Sequence, residues 1–116
     1  MGVSLEKIDK WEKKKKTKKL LRLLNTNESI EIRSRAIRAL ASLEDPDIIN
    51  QLTGLLREPE PEIRLASIET LGKIGSGRAM EFIRVAAEKE TDQKIVEAAK
   101  IALASIKEKI KQDESA

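Results

Sequence analysis

Three stretches of this chain align without a gap, and that self-similarity limits the possible folds more than any other feature. They are IRSRAIRALASL from Ile32 to Leu43, IRLASIETLGKI from Ile63 to Ile74 and IVEAAKIALASI from Ile95 to Ile106, offset by 31 and 32 residues. Apolar residues recur at matched places: Ile32, Ile63 and Ile95; Leu40, Leu71 and Leu103; Leu43, Ile74 and Ile106. Small residues hold others, such as Ala36, Ser67 and Ala99, or Ala41, Gly72 and Ala104. Spacings of three, four and eight place these side chains on one face of a helix. Small residues at fixed sites let neighbouring backbones approach closely.

A shorter helical pattern precedes each of these segments. Ile48, Ile49, Leu52, Leu55 and Leu56 form an apolar stripe at helical spacing, and Ala79, Met80, Ile83, Ala86 and Ala87 answer it 31 residues later. Leu20, Leu21, Leu23 and Leu24 fill the matching end of the first unit. The unit is thus a helical hairpin of 31–32 residues, with repeats over about 14–44, 45–75 and 76–110. One hairpin cannot cover its own apolar face, so neighbours must cover it, and three units are about the minimum. The expected fold is all-α, an α-solenoid of three hairpins with about six helices. Residues 1–13 form a basic N-terminal extension or end cap, and 113–116 a C-terminal tail.

Punctuation agrees with this division. Asp45-Pro46 reads as an N-cap followed by a proline in the first helical position, with Asp47 facing the positive end of the helix. Glu60-Pro61-Glu62 holds the equivalent start of the next helix, and Ser29, Ser76 and Asp92 sit at matching positions elsewhere. Gly72 and Gly75-Ser76-Gly77 read as the end of one helix and the opening of the next turn. No sustained alternation argues for strands.

These residues resemble short HEAT-like repeats, of the type associated with phycobilin lyases. Their second helix typically reads Val-Arg-x-x-Ala-Ala-x-Ala-Leu-Gly-x-Ile after an Asp-Pro-type turn. The best copy here is EPEPEIRLASIETLGKIG, Glu58 to Gly75, and the likeness extends over about residues 14–110. Arg33 and Arg64 match the motif arginine, with Val96 in the third unit, and Gly72 matches the motif glycine. The resemblance implies a solenoid that presents a surface to another macromolecule. Two enzymatic relatives, the bilin lyases and deoxyhypusine hydroxylase, would need Cys or His, and the chain has neither.

The same absences narrow the chemistry. Without Cys there is no disulfide, iron–sulfur cluster or thiol nucleophile, and without His no imidazole base or metal ligand. No Gly-rich phosphate cradle is present either. The expectation is a protein that is not an enzyme and takes no cofactor or metal. Glu58, Glu60 and Glu62 look like a carboxylate cluster but read better as acids at a helix start. No apolar run approaches the ~18 residues of a membrane span. The N-terminal MGVSLEKIDKWEKKKK lacks the apolar stretch of a signal peptide, so the expected location is cytoplasmic. Charged residues make up 37% of the chain, while Asn and Gln number three each. That balance fits a thermophilic source, or simply a helical protein with solvated faces.

Three places are candidates for function. The outward positions of the second helices, on the side that is usually concave, include Arg33, Arg38, Arg64, Glu69 and Lys73. They suit a protein partner, since a guanidinium fork matches carboxylates. Equally, Arg33 and Arg64 can staple neighbouring repeats together. The second place is the lysine tract. Residues 1–24 hold nine basic and three acidic side chains, a net +6, against 14 basic and 17 acidic in the remainder, a net −3. Lys13, Lys14, Lys15, Lys16, Lys18 and Lys19 could track nucleic-acid phosphates, or they could form the solubilising end of a terminal repeat. From Glu12 to Lys19 no side chain is apolar, so this stretch is a solvated helical extension or a flexible junction. An anionic membrane is a poorer fit, because no continuous apolar face accompanies the lysines. The third place is Trp11, which falls with Val3, Leu5 and Ile8 on one helical face. It either anchors a partner or folds back over the open end of the stack. Met80 and Phe82 are expected in the core.

Overall fold

The computed structural model describes residues 2–115, which form seven α-helices and, among those described residues, no strand. Helices α1 (Leu5–Lys13) and α2 (Thr17–Leu23) come first. Then follow α3 (Ile30–Ala39), α4 (Pro46–Gly54) and α5 (Pro61–Ile74). The chain ends with α6 (Met80–Lys89) and α7 (Gln93–Ser115). Short 3-10 turns extend α3 over Leu40–Ser42 and α4 over Leu55–Arg57, and another, Gly77–Ala79, leads into α6.

The helix starts follow the sequence punctuation. Asp45 Oδ1 accepts from the Asp47 backbone N–H at 2.8 Å, and Ser29 Oγ from that of Ile32 at 3.2 Å. Ser76 and Asp92 accept in the same way from Arg78 and Lys94. Each bond satisfies a donor that the helix cannot. Glu60 precedes Pro61 without capping through its side chain. At the other end of α5, Gly75 adopts φ 77° and its N–H donates to the Leu71 carbonyl, a left-handed stop that suits glycine.

The second helices carry the architecture. α3, α5 and α7 stand side by side in chain order, and α1 completes the row by packing on α3. α2, α4 and α6 form the other layer, each packed on its following partner. The result is a slab of 43 × 37 × 18 Å, whose short dimension is the thickness of two helix layers. The core lies between them and includes Leu20, Ile37, Leu40, Leu52, Ile63 and Leu71, all without solvent exposure.

Two expectations change, and two alternatives narrow to one each. Gly72 does not end a helix: it lies inside α5, where a Cβ would come within 2.9 Å of the Ala102 Cβ and 3.0 Å of its Cα. Its role is the close approach of α5 to α7. The Glu12–Lys19 stretch is not a loose junction. Lys14, Lys15 and Lys16 donate to the carbonyls of Lys10, Glu12 and Trp11, forming a tight turn with Lys15 at φ 55°. Residues 5–13 are therefore a seventh helix docked on the stack. Its Ile8 is wholly buried and Arg35 of α3 reaches Asp9 and Glu12 at 2.7 and 2.9 Å. Finally, α7 runs on to Ser115, through most of the segment expected as a tail.

The two ends of the row are closed differently. On α5, Leu65, Ile68 and Gly72 face α7 and are buried. The matching residues of α7 are Glu97, Lys100 and Ala104, all exposed, with Glu97 and Lys100 3.9 Å apart. The third unit thus presents a charged forward face where the second presents an apolar one, as a terminal repeat requires.

Candidate partner-binding surfaces

A helix in the middle of a row exposes only the narrow strip that neither neighbour nor the other layer covers. In α3, α5 and α7 that strip contains the equivalent positions Arg38, Glu69 and Ile101, with Ser42, Lys73 and Ser105 one turn further on. Arg38 Nη1 donates to Glu69 Oε1 at 2.9 Å, an ion pair bridging α3 and α5 with both side chains more than a third exposed. Beside it, Ile101 is 64% exposed, the most exposed of the large apolar side chains among the described residues. An open groove of about 360 Å³ runs between α5 and α7, with Arg38, Glu69, Lys73, Ile101 and Ser105 on its walls. Gly72 and Ala102, small because the helices nearly touch there, form its floor. Among the described residues, the surface offers one cation without an ion-pair partner, Lys73, together with one ion pair and one aliphatic anchor.

Arg33 and Arg64 lie elsewhere. Both side chains are less than a fifth exposed and turn inward to the connection of the next hairpin. Arg33 donates through Nε to the Leu24 carbonyl at 2.9 Å and through Nη2 to Glu58 Oε1 at 2.7 Å. Arg64 repeats the arrangement one unit later. It donates to Glu90 Oε1 and Oε2 at 2.9 and 3.1 Å, and to the carbonyls of Glu58 and Pro59. Each motif arginine therefore fastens its own helix to the acid that closes the following short helix. A fork held by several acceptors has few donors left for a partner. Arg64 holds the Glu90 carboxyl below its ordinary value, helped by the backbone N–H groups of Asp92 and Thr91. Glu58, read from the sequence as a helix-start acid, is the ion-pair partner of Arg33.

The lysine tract is divided by the fold. Lys13, Lys14, Lys15 and Lys16 crowd the turn between α1 and α2, exposed and without a carboxylate in ion-pair range among the described residues. Lys18 instead bridges Asp45 at 3.1 Å and Asp47 at 3.3 Å, which raises its pKa through those hydrogen bonds. The backbone N–H of Asp47 and the Lys18 ammonium together hold the Asp45 carboxyl below its usual range. Lys19 and Lys7 place their ammonium groups 5.5 and 5.9 Å from the Trp11 ring centre. Trp11 is partly buried against the core beneath them.

Phe82 reverses an expectation. It is 55% exposed on α6, and Val85 one turn on is 41% exposed, while the core takes Ala79 and Ile83 from the adjoining side of this segment. The stripe Ala79, Met80, Ile83, Ala86 and Ala87 does pack on the core, and Phe82 lies beside it, about 100° round the helix from Ile83. Met80 is partly buried against the core.

Among the described residues no group of three or more Asp or Glu side chains is placed to hold a metal ion, and no helix is long and apolar enough to cross a membrane. The family model for HEAT repeats matches residues 17–104. This chain belongs to the HEAT-repeat family. The match begins at the start of α2 and ends inside α7, so it takes in all three hairpins and leaves α1 outside. Comparison with curated proteins finds no match. In HEAT terms α2, α4 and α6 are the first helices of the repeats and α3, α5 and α7 the second. The groove bearing Arg38, Lys73 and Ile101 lies on the second-helix side.

Proposed function

We propose that this HEAT-repeat protein is a non-enzymatic interaction module that holds another protein along the groove between α5 and α7. The observation that carries this reading is Ile101, an aliphatic side chain left 64% exposed beside the Arg38–Glu69 pair and Lys73. An apolar anchor rimmed by charges is the usual composition of a hot spot and its surround. Arg33 and Arg64 support the groove as fasteners between hairpins. The test is a pulldown comparing the wild type with Ile101→Asp and with Arg38→Glu/Lys73→Glu. Loss of the same partner from both variants, with unchanged melting temperature, is the expected result. An unchanged set of partners from both variants would remove the groove.

A second reading, binding of nucleic-acid phosphates, rests on one feature: four lysines, Lys13–Lys16, held in a single ordered turn without an ion-pair partner among the described residues. If all four neutralise phosphates, affinity for mixed-sequence DNA or RNA falls about a hundredfold between 50 and 200 mM salt. Lys13–Lys16 replaced by glutamine should then abolish binding. No detectable binding at low salt ends this reading.

A further inference from the structure

Helix α6 has two apolar faces, and the core uses only one. Ile83 is fully buried against the stack. Phe82, Val85 and Ala86, with Lys89 beyond them, lie at i, i+3, i+4 and i+7 and line the adjoining side, Ala86 at its edge being partly buried against the core. They form one wall of a groove of about 320 Å³, whose other wall is Leu56 and Arg57 at the end of α4. Measured along α6, the stripe is about 10 Å long, two helical turns. Exposed apolar residues scattered singly are ordinary, but a phenylalanine and a valine stacked over a preformed groove are a docking feature.

The charges at the rim specify what fits. Arg57 and Lys89 have no carboxylate in ion-pair range among the described residues. The one acid on the groove, Glu81, is already paired with Arg84. The lining therefore offers apolar contact flanked by two uncompensated cations. Two helices bordering a trough provide the ridges and groove into which a third helix packs.

We infer that the groove between α4 and α6 docks an acidic amphipathic helix of a partner protein, with its apolar stripe on Phe82 and Val85 and its carboxylates at Arg57 and Lys89. A basic helix would set like charge against both rim residues. This site lies on the first-helix layer, away from Ile101, and does not depend on the α5–α7 groove.

Phe82 is the sole phenylalanine of the chain, so fluorophenylalanine incorporation gives one fluorine resonance that reports on this groove. The probe is a synthetic helical peptide with leucines at i, i+3, i+4 and i+7 flanked by glutamates; the control has lysines in their place. The glutamate peptide should shift the resonance and the lysine peptide should not. Arg57→Glu/Lys89→Glu should weaken the glutamate peptide about tenfold. Arg38→Glu/Lys73→Glu should leave its affinity unchanged. The inference fails if neither peptide shifts the resonance or both do so equally. It also fails if raising the protein concentration alone moves the resonance, which would identify a second copy as the occupant. A shift from anionic phosphatidylglycerol vesicles without one from the peptide would overturn it as well.

Discussion

At the scale of single residues, the motif arginines show how a repeat protein turns a recurring position into a mechanical joint. Glu90 accepts two bonds from Arg64 and two from the backbone, and its side chain is 6% exposed. Its pKa is depressed in the fold and returns to the ordinary 4.5 when the chain unfolds. The stabilisation is therefore complete above the unfolded value and is lost as pH falls through the lower, folded one. The melting temperature should hold down to about pH 5 and decline below it. Glu90→Gln should cost about 2 kcal/mol at neutral pH and show a smaller acid decline. Thermal scans of both proteins from pH 7 to pH 3 check this, and a mutant with the wild-type acid profile would refute it. The phase of Arg33 and Arg64 was legible in the sequence, including their capacity to staple repeats. Their acids were harder to find, since Glu58 and Glu90 lie 25 and 26 residues away and no local spacing marks an ion pair between elements. Phe82 was misread for a related reason. Periodicity locates apolar faces of a helix but not the neighbours that cover them.

At the scale of elements, α1 is the part whose existence was legible but whose placement was left open. The sequence puts Val3, Leu5, Ile8 and Trp11 on one face, and the fold spends three of the four on the stack, leaving Leu5 40% exposed. What decides between docking and wandering is tertiary: Arg35 on α3 receives Asp9 and Glu12, and Glu28 accepts from the Val3 backbone N–H. Ile8 is the apolar plug of this arrangement. Ile8→Asp leaves a carboxylate without a partner against α3 and should cost about 3 kcal/mol, releasing the helix. Trp11 is the sole tryptophan, so its emission reads the outcome directly. A red shift with little loss of total helix is expected; emission at the wild-type wavelength would show that α1 stays docked. The helix starts were the most legible elements of all, because a cap is a local event among residues two or three apart.

At the scale of the whole molecule, the row of second helices makes α5 the centre of stability, since it alone has a complete repeat on either side. Leu71 lies in that helix with no exposure, and Leu71→Ala should cost about 3 kcal/mol. If the three units unfold as one, amide hydrogen exchange in α3, α5 and α7 should accelerate together in this variant. Faster exchange confined to α5 would show instead that the units open singly. A last consequence follows from the way the row is closed. A unit whose leading and trailing surfaces match is self-complementary in translation, and copies of it can add head to tail without limit into a fibre. Here the trailing surface of α3 is occupied by α1 and the leading one of α7 bears Glu97 and Lys100, so among the described residues the apolar face that α5 offers to α7 is not offered again by α7.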